Sequence, residues 1–441
     1  MNQFPSQGQT GSASNVPANP LGTLPINQLL ARFAIPSIIA MLVSALYNIV
    51  DQFFIGRSVG MLGNAATNVA FPLTITCTAL SLMFGIGGAA NFNLSMGHGE
   101  RVDAARYAGN AVFMLFFTGL ILCLGVRLFL KPLMIAFGAT AEVLDYSLVY
   151  TGITSLGFPF LILTTGGSNL IRADGSPRFS MVCTLTGALI NTILDPLFIF
   201  TFHMGMAGAA LATIIGQIVS GIMVIIYLTR FKTVHLTFDY LRPIPSHIKA
   251  IISLGMAPFF NQIAMMVVQI VMNNVLRYYG GQSHYGSEIP LACAGIISKV
   301  NMIFFSLVIG LSQGLQPIVS FNYGAKKIDR VSKTFRLLLT TCMIYSTALW
   351  AIAMFAPIVY IRIFTQDGAL TEFSIWAMRI YMGASLLFGA QLACQQTFIA
   401  IGDSKTSLFL ALLRKVILLI PLIYILPNFF ENKVFSVFVA E

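Results

Sequence analysis

The sequence predicts an all-α polytopic membrane protein: two six-helix lobes related by a parallel internal repeat, with the last helix incomplete. Three observations predict it. Apolar stretches recur along the whole chain, each near the roughly 20 residues that cross a bilayer core as a helix. Charged residues make up only 9% of the chain and hydrophobic ones 57%, whereas a soluble domain is roughly 25% charged. Motifs of the first half return about 225 residues later.

The elements follow in order. Residues 1–24 begin with MNQFPSQGQTGSASNVPANP, which has no charge and no apolar core; this composition predicts a disordered tail, not a signal peptide. Eleven spans are expected, at 30–56, 65–96, 107–130, 143–167, 177–201, 206–229, 250–277, 290–320, 334–360, 373–400 and 406–427. None shows the short alternation of a barrel strand, so helix is the default. The longest polar stretch, RFKTVHLTFDYLRPIPSHIK, contains the linker, 231–249, between an N-lobe (25–230) and a C-lobe (250–441). After Pro427 the apolar run Val434 to Ala440 is too short to cross. The expectation is therefore a chain without a complete twelfth helix, with residues 428–441 outside and a packing gap in the C-lobe.

The repeat rests on several matched stretches. "FAIPSIIAMLVSALYNIVDQFFIG" aligns with "GMAPFFNQIAMMVVQIVMNNVLRYYG", pairing Pro36 with Pro258 and Asp51 with Asn273. Gly85 pairs with Gly310, "IRADGSP" recurs as "IAIGDSK", and Pro196 falls near Pro421. Six spans separate the copies, an even number, so both lobes point the same way. Transporters built from such repeats hold their sites at depth, between or within the repeats.

Charge decides orientation and partners. The loops after spans 2, 4, 6, 8 and 10 hold fourteen lysines and arginines, Arg172 and Arg178 among them, and the other loops hold six. The positive-inside rule places the first set and the N-terminus in the cytoplasm. The net charge of +10 sits in loops between apolar spans, so the partner it implies is the lipid bilayer, not nucleic acid. Six scattered cysteines contain no CxxC, which argues against disulfides and zinc. No span carries a His/Asp/Glu cluster or a nucleophile pair, so an enzyme is not expected, nor any cofactor besides a coupling ion.

Of the fifteen acids, only Asp51 and Asp195 lie well inside apolar spans. A charge at the bilayer centre costs at least about 2.5 kcal/mol, so each needs a local reason. Asn191 and Asp195 are one helical turn apart and share a face. Asn48 and Gln52 bracket Asp51. Pro196 has no amide hydrogen, which leaves the Thr192 carbonyl without its helical partner. Two carboxylates, amide oxygens and a bare carbonyl form an all-oxygen set suited to a hard cation or a proton. The competing reading is that Asp195 caps or pairs inside the bundle, with Lys299 and Arg414 as candidate partners.

The second half supplies candidate cavity residues. Gln262, Met266, Gln269 and Asn273 fall on overlapping faces of span 7, Gln313 lies in span 8 beside Pro317, and Gln391 lies in span 10. Amides and methionines near phenylalanines make an adaptable lining for varied amphipathic molecules; ordinary interhelical hydrogen bonding is the alternative for each. Lys299 sits about ten residues into span 8 and either lines the cavity or snorkels.

At "IPSIIAMLVSALYNIVDQFFIG", "LSQGLQPIVSFNYGAKKIDRV" and "INTILDPLFIF" the chain resembles the multidrug and toxic compound extrusion (MATE) transporter family, in its bacterial efflux subgroup with acids only in the N-terminal half. The resemblance covers about residues 25 to 440. It implies twelve helices in two lobes and extrusion of organic cations against inward sodium or protons. It also implies an N-lobe cation site at Asp51, Asn191, Asp195 and Thr213. Met266 stands near where other members carry a glutamate, and span 10 has no acid, so a C-lobe cation site is not expected.

The expected function is a secondary multidrug antiporter in a bacterial cell membrane, monomeric, exporting cationic drugs or dyes. Oxygen ligands from Asp51, Asn191, Asp195 and Thr213 lean toward sodium, and the same carboxylates also serve protons. A lipid-linked precursor flippase of the same architecture is the alternative.

Overall fold

The computed structural model of the chain describes residues 19–283, 285–286 and 288–440, so residues 1–18 of the expected tail lie outside the described residues. Among the described residues there is no strand, and ten helices are long and apolar enough to cross a membrane. No water is available in hydrocarbon to take the backbone N–H and C=O groups, and a helix satisfies them within itself.

Spans 1 to 3 are Ile26–Ser58, Met61–His98 and Arg101–Leu128. Spans 4 to 6 are Ala141–Ala173, Pro177–Thr201 and Gly205–Leu228. Spans 7 to 9 are Pro245–Gly281, Glu288–Gly324 and Ile328–Phe355. Span 10 is a pair, Gly368–Tyr381 and Ser385–Ala400, bent by 49°, and span 11 is Ser404–Asn428. Span 7 starts five residues earlier than expected, at Pro245. Proline suits a first helical turn, where its missing N–H would have no partner anyway.

The repeat recurs in the irregularities. Spans 3 and 9 are both 28 residues long, and spans 5 and 11 are both 25. Span 4 is broken by a 3₁₀ turn at Ser155–Gly157, and span 10 by one at Ser385–Leu387. Span 5 ends in a π-helical turn, Leu197–Thr201, and span 11 contains one, Leu413–Leu419. Spans 4 and 10 each end at a left-handed glycine, Gly175 (φ 84°) and Gly402 (φ 88°), a conformation that a Cβ disfavours.

The halves meet through spans 1 and 8 and spans 2 and 7. Gly87 lies against the Ile251 carbonyl and Gly255 against the Met83 carbonyl. Gly310 and Gly314 lie against the backbone of residues 33–38. Small residues let helix backbones approach closely, which is the main source of packing energy inside a membrane. All these contacts sit where spans 1 and 7 begin and spans 2 and 8 end. That end also carries the loops with most of the lysines and arginines, and is called the basic face below.

Two segments tie down this face. Residues 19–24, expected to be disordered, instead form a short helix, Pro20–Thr23, docked on the other half. Asn322 and Arg330 donate to the Leu21 carbonyl at 2.9 and 3.2 Å. Lys327 donates to the Gly22 carbonyl at 2.9 Å, and Arg330 to that of Leu24 at 2.7 Å. Backbone carbonyls without helical partners attract cationic donors, which composition alone does not show. The linker is held by Asn110, whose side chain accepts from the Ile244 N–H at 2.7 Å and donates to the Tyr240 and Arg242 carbonyls.

At the opposite face a seven-residue helix, Lys433–Val439, packs against spans 7 and 10. Phe438 is buried between Phe373 and Trp376, and Lys433 lies 5.3 Å over the Tyr279 ring. The expected gap is thus partly filled by Val434, Val437 and Phe438, all buried.

A Cβ at Gly255 would overlap a backbone carbonyl that cannot swing aside. Gly255→Leu is expected to raise the ratio of open to closed molecules at the basic face by about tenfold, the scale of one overpacked contact. Electron–electron distance measurements between spin labels at Val102 and Asp329 will show it as a longer population. Gly295→Ala, where no atom lies within 4 Å, is expected to leave the distances unchanged.

Candidate functional site

Four spans of the first half converge on one interior point. Span 1 brings Tyr47 and Asp51, a turn apart on one face. Span 5 brings Asn191 and Asp195, span 6 brings Thr213, and span 4 brings Tyr150. Asp51 is 8% exposed and Asp195 0%. Their carboxyl groups face each other within hydrogen-bonding range, with the Tyr47 and Tyr150 hydroxyls close to both.

The Asn191 amide bridges span 5 to span 6. In the orientation that satisfies both neighbours, its nitrogen donates to the Asp195 carboxylate at 3.3 Å, and its oxygen accepts from the Thr213 N–H at 3.3 Å. The Thr213 hydroxyl donates its proton to the Ala209 carbonyl at 3.0 Å, and its oxygen lies beside the Asn191 amide and the Tyr150 hydroxyl. Immediately after Asp195, Pro196 ends the α-helix and the chain widens into the π-helical turn. Such turns often mark functional sites in helices.

One feature fits a cation: Asp51 Oδ1 is buried and has no hydrogen-bond partner. Two carboxylates this close in a low-dielectric interior cannot both stay charged unless a proton or a cation joins them. Among the described residues no group of three or more His, Cys, Asp or Glu forms. The acidic ligands on offer are thus the two carboxylates, with neutral oxygens from Asn191 and Thr213 beside them.

A cavity of about 140 Å³ leads away from Asn191 and Thr213 toward the basic face. At its far end lies Arg172, 3% exposed. The sequence placed Arg172 in a loop; span 4 runs on to Ala173, and this carries it inside. It donates to Asn169 Oδ1 at 2.6 Å, Ser180 Oγ at 3.3 Å and Gln313 Oε1 at 3.0 Å. Gln313 comes from span 8, so this last bond joins the halves.

The other expected cavity residues scatter. Gln52 bonds Thr67 on span 2 at 3.1 Å, and Asn48 is exposed and donates to the Ser44 carbonyl. Neither reaches Asp51. Gln269 donates to Asn273 at 3.0 Å and accepts from Ser298 at 3.0 Å, so both amides are used within their own half. Gln262 and Met266 are half-buried and line neither this cavity nor a second one. Lys299 lies 5.8 Å over the Phe364 ring, away from Asp195. Gln391 lines the second cavity, of about 220 Å³, and accepts from Arg414 at 3.1 Å, while Arg414 lies 4.4 Å over the Phe388 ring.

Tyr47 could have been found as the residue one turn before Asp51. Tyr150 carries no such signal, because only the packing of span 4 on span 6 brings it to Thr213.

Two residues beyond Arg172, Asp174 gathers the linker. It accepts from the Tyr227 hydroxyl at 2.7 Å, the Lys232 N–H at 2.7 Å, the Thr233 N–H at 2.9 Å and the Thr233 hydroxyl at 2.6 Å. Burial pushes its carboxyl above the ordinary value, against these four donors, which favour the charged form. Asp403, in the matching turn of the second half, is half-buried, and its bonds from Thr406 hold its carboxyl below the ordinary value.

A family model described as MatE matches residues 36–197 and 258–425. The matched segments begin at Pro36 and Pro258, the pair that heads the internal repeat. The chain is similar to multidrug export protein MepA of Staphylococcus haemolyticus (strain JCSC1435), 24% identical over 419 residues, 94% of this chain and 91% of that protein. It is similar to MepA of Staphylococcus aureus (strain N315), 25% identical over 426 residues, 95% of this chain and 91% of that protein. Of solved structures, it is similar to one described as the outward-facing conformation of a multidrug resistance MATE family transporter of the MOP superfamily. The TM-score is 0.88 at 21% identity, over 96% of this chain and 93% of that one. A structure described as MATE in the bent conformation matches with a TM-score of 0.85 at 21% identity, over 94% of this chain and 91% of that one. These structural likenesses show a shared fold.

Asp174→Ala leaves four donors without their acceptor. The cost of such a loss predicts about tenfold faster tryptic cleavage after Arg230 and Lys232. Timed proteolysis of the purified chain, followed by mass spectrometry, will measure it.

Proposed function

Because the chain belongs to the MatE family, a family of transporters, we propose that it is a secondary antiporter exporting cationic amphipathic drugs or dyes in exchange for sodium or protons. It is a multi-pass membrane protein, and its relatives are named multidrug export proteins. The observation that carries the coupling is the facing pair Asp51 and Asp195 with its unpartnered oxygen. Asn191 and Thr213 add neutral oxygens.

The positive-inside rule supports a cytoplasmic N-terminus and a cytoplasmic basic face. In that orientation the glycine contacts close the cytoplasmic side, and the carboxylates serve the outside. A cation or proton arriving there neutralises the pair. Neutralisation removes the repulsion between the carboxylates and weakens the pull of Asp195 on the Asn191 amide. It thereby changes how spans 1, 5 and 6 pack, and the drug leaves outward. With the lobes opened inward, cation and drug exchange the other way. Binding energy that differs between the two states is sufficient to bias them. The oxygen-rich ligand set favours sodium.

Asp195→Asn and Asp51→Asn are expected to abolish gradient-driven ethidium efflux while the protein still reaches the membrane at wild-type level. Normal efflux by either variant rejects this assignment. With sodium as the coupling ion, collapsing the sodium gradient stops efflux, and a proton uncoupler at fixed sodium does not. The reverse pattern assigns the proton.

A further inference from the structure

We infer that a hollow at the basic face, between the starts of spans 1 and 5, binds the phosphate of an anionic phospholipid whose acyl chains lie along both spans. The site is separate from the cavity beside Asn191 and Thr213, and it does not depend on the antiporter reading.

The first observation is a set of uncompensated cations around one space. The hollow, of about 570 Å³, is lined by Arg32 of span 1, Arg178 of span 5 and Lys232 of the linker, and by no acid. Among the described residues none of these three side chains makes an ion pair or a hydrogen bond. Asp174 borders an adjoining hollow together with Arg32 and Lys232. Both its oxygens are already taken, by the Tyr227 hydroxyl and by the backbone and hydroxyl groups of residues 232–233. Three like charges around one space repel, and an anion between them removes that repulsion.

The second observation is independent of the cations. Ser176 lines the same hollow, is 6% exposed, and its Oγ has no hydrogen-bond partner. The neighbouring Tyr227 hydroxyl donates to Asp174 instead. Ser176 is also the N-cap of the 20-residue helix Pro177–Pro196, yet its side chain does not cap it. The hydroxyl and the positive end of the helix are therefore both left for an anion. A phosphate offers several acceptor oxygens, which suit a guanidinium fork, an ammonium and a hydroxyl at once.

The third observation decides for a lipid over a soluble anion. Arg32 heads a row of exposed apolar residues on span 1, namely Ile35, Ile39 and Leu46. Arg178 heads a second row on span 5, namely Val182, Leu189 and Ile193. Steps of three, four and seven residues keep each row on one helix face. Phe179 and Val182 also line the hollow, so its polar end runs into an apolar floor. A free phosphate would use the cations and leave both rows idle, whereas a phospholipid matches the whole pattern. Basic pockets between spans on the cytoplasmic side take anionic headgroups, and the positive-inside rule puts this hollow on that side.

The test titrates the purified, delipidated full chain in a neutral detergent with phosphatidylglycerol or phosphatidylcholine of identical acyl chains. Native mass spectrometry counts the bound lipid. Wild type is expected to bind phosphatidylglycerol about thirtyfold more tightly, from three basic side chains acting on one anionic headgroup. Arg32→Gln, Arg178→Gln and Lys232→Gln are each expected to lower that ratio about threefold, and the triple variant to bring it to about one. Ser176→Ala is expected to weaken both lipids about threefold and leave the ratio intact, because both carry the phosphate. Arg101→Gln with Lys249→Gln, on the same face but outside the hollow, is expected to change nothing. A wild-type ratio near one overturns the proposal, as does a control pair that lowers the ratio as much as the lining variants do. If the triple variant does not fold, a ratio unchanged in all three single variants overturns it. Wild-type binding of both lipids by Ser176→Ala overturns the placement of the phosphate. Inorganic phosphate at the lipid's own concentration is expected not to displace phosphatidylglycerol; displacement marks a site for soluble anions and overturns the lipid reading.

Discussion

Two carboxylates facing each other inside a hydrocarbon slab are the constraint around which the first half is arranged. Neither Asp51 nor Asp195 has a basic partner within ion-pair distance among the described residues. What surrounds them is neutral and polar: the Asn191 amide, Thr213, and the Tyr47 and Tyr150 hydroxyls. Such a shell lowers the cost of the charge without cancelling it. The negative charge of the pair is therefore left uncompensated, where a salt bridge to lysine or arginine would have cancelled it.

The same economy of charge runs through the cavity. Arg172 is held by amides and a hydroxyl, not by an acid. The acid nearest in sequence, Asp174, is spent on the linker. The two charged groups of opposite sign thus sit at opposite ends of one lobe. Between the lobes glycine backbones approach closely, and the Arg172–Gln313 bond is one of the hydrogen bonds that cross. Close-packed helices have few intermediate positions, so in the proposed antiport cycle a small change at the carboxylates would act on a discrete movement of the lobes.

Much of this was legible in the residues. The spans follow from hydropathy, and the repeat from Pro36 with Pro258 and Gly85 with Gly310. Asp51, Asn191 and Asp195 stand out because isolated polar groups in apolar helices are costly. Other assignments failed for identifiable reasons. Asn48 and Gln52 neighbour Asp51 in sequence, but Gln52 points about 100° around the helix from it and meets Thr67, while Asn48 is exposed and donates back to the Ser44 carbonyl. Arg172 resembled a loop residue because it lies two residues before a turn. Residues 19–24 have the composition of a tail, yet Asn322, Lys327 and Arg330 hold their carbonyls.

The sequence by itself determined the membrane spans, the duplication, and the presence of two unpaired acids in one half. These are properties of single segments, and the transfer energies of side chains between water and lipid are local quantities. Only the tertiary structure decided which polar groups meet. It set Tyr150 beside Thr213, joined Arg172 to Gln313 across the lobes, and left Thr164, Ser168 and Gln217 facing a cavity without partners. Hydrogen bonds between spans depend on helix rotation and crossing distance to within an ångström or so. Those are set by the packing of all eleven spans together, and no single stretch of sequence contains them.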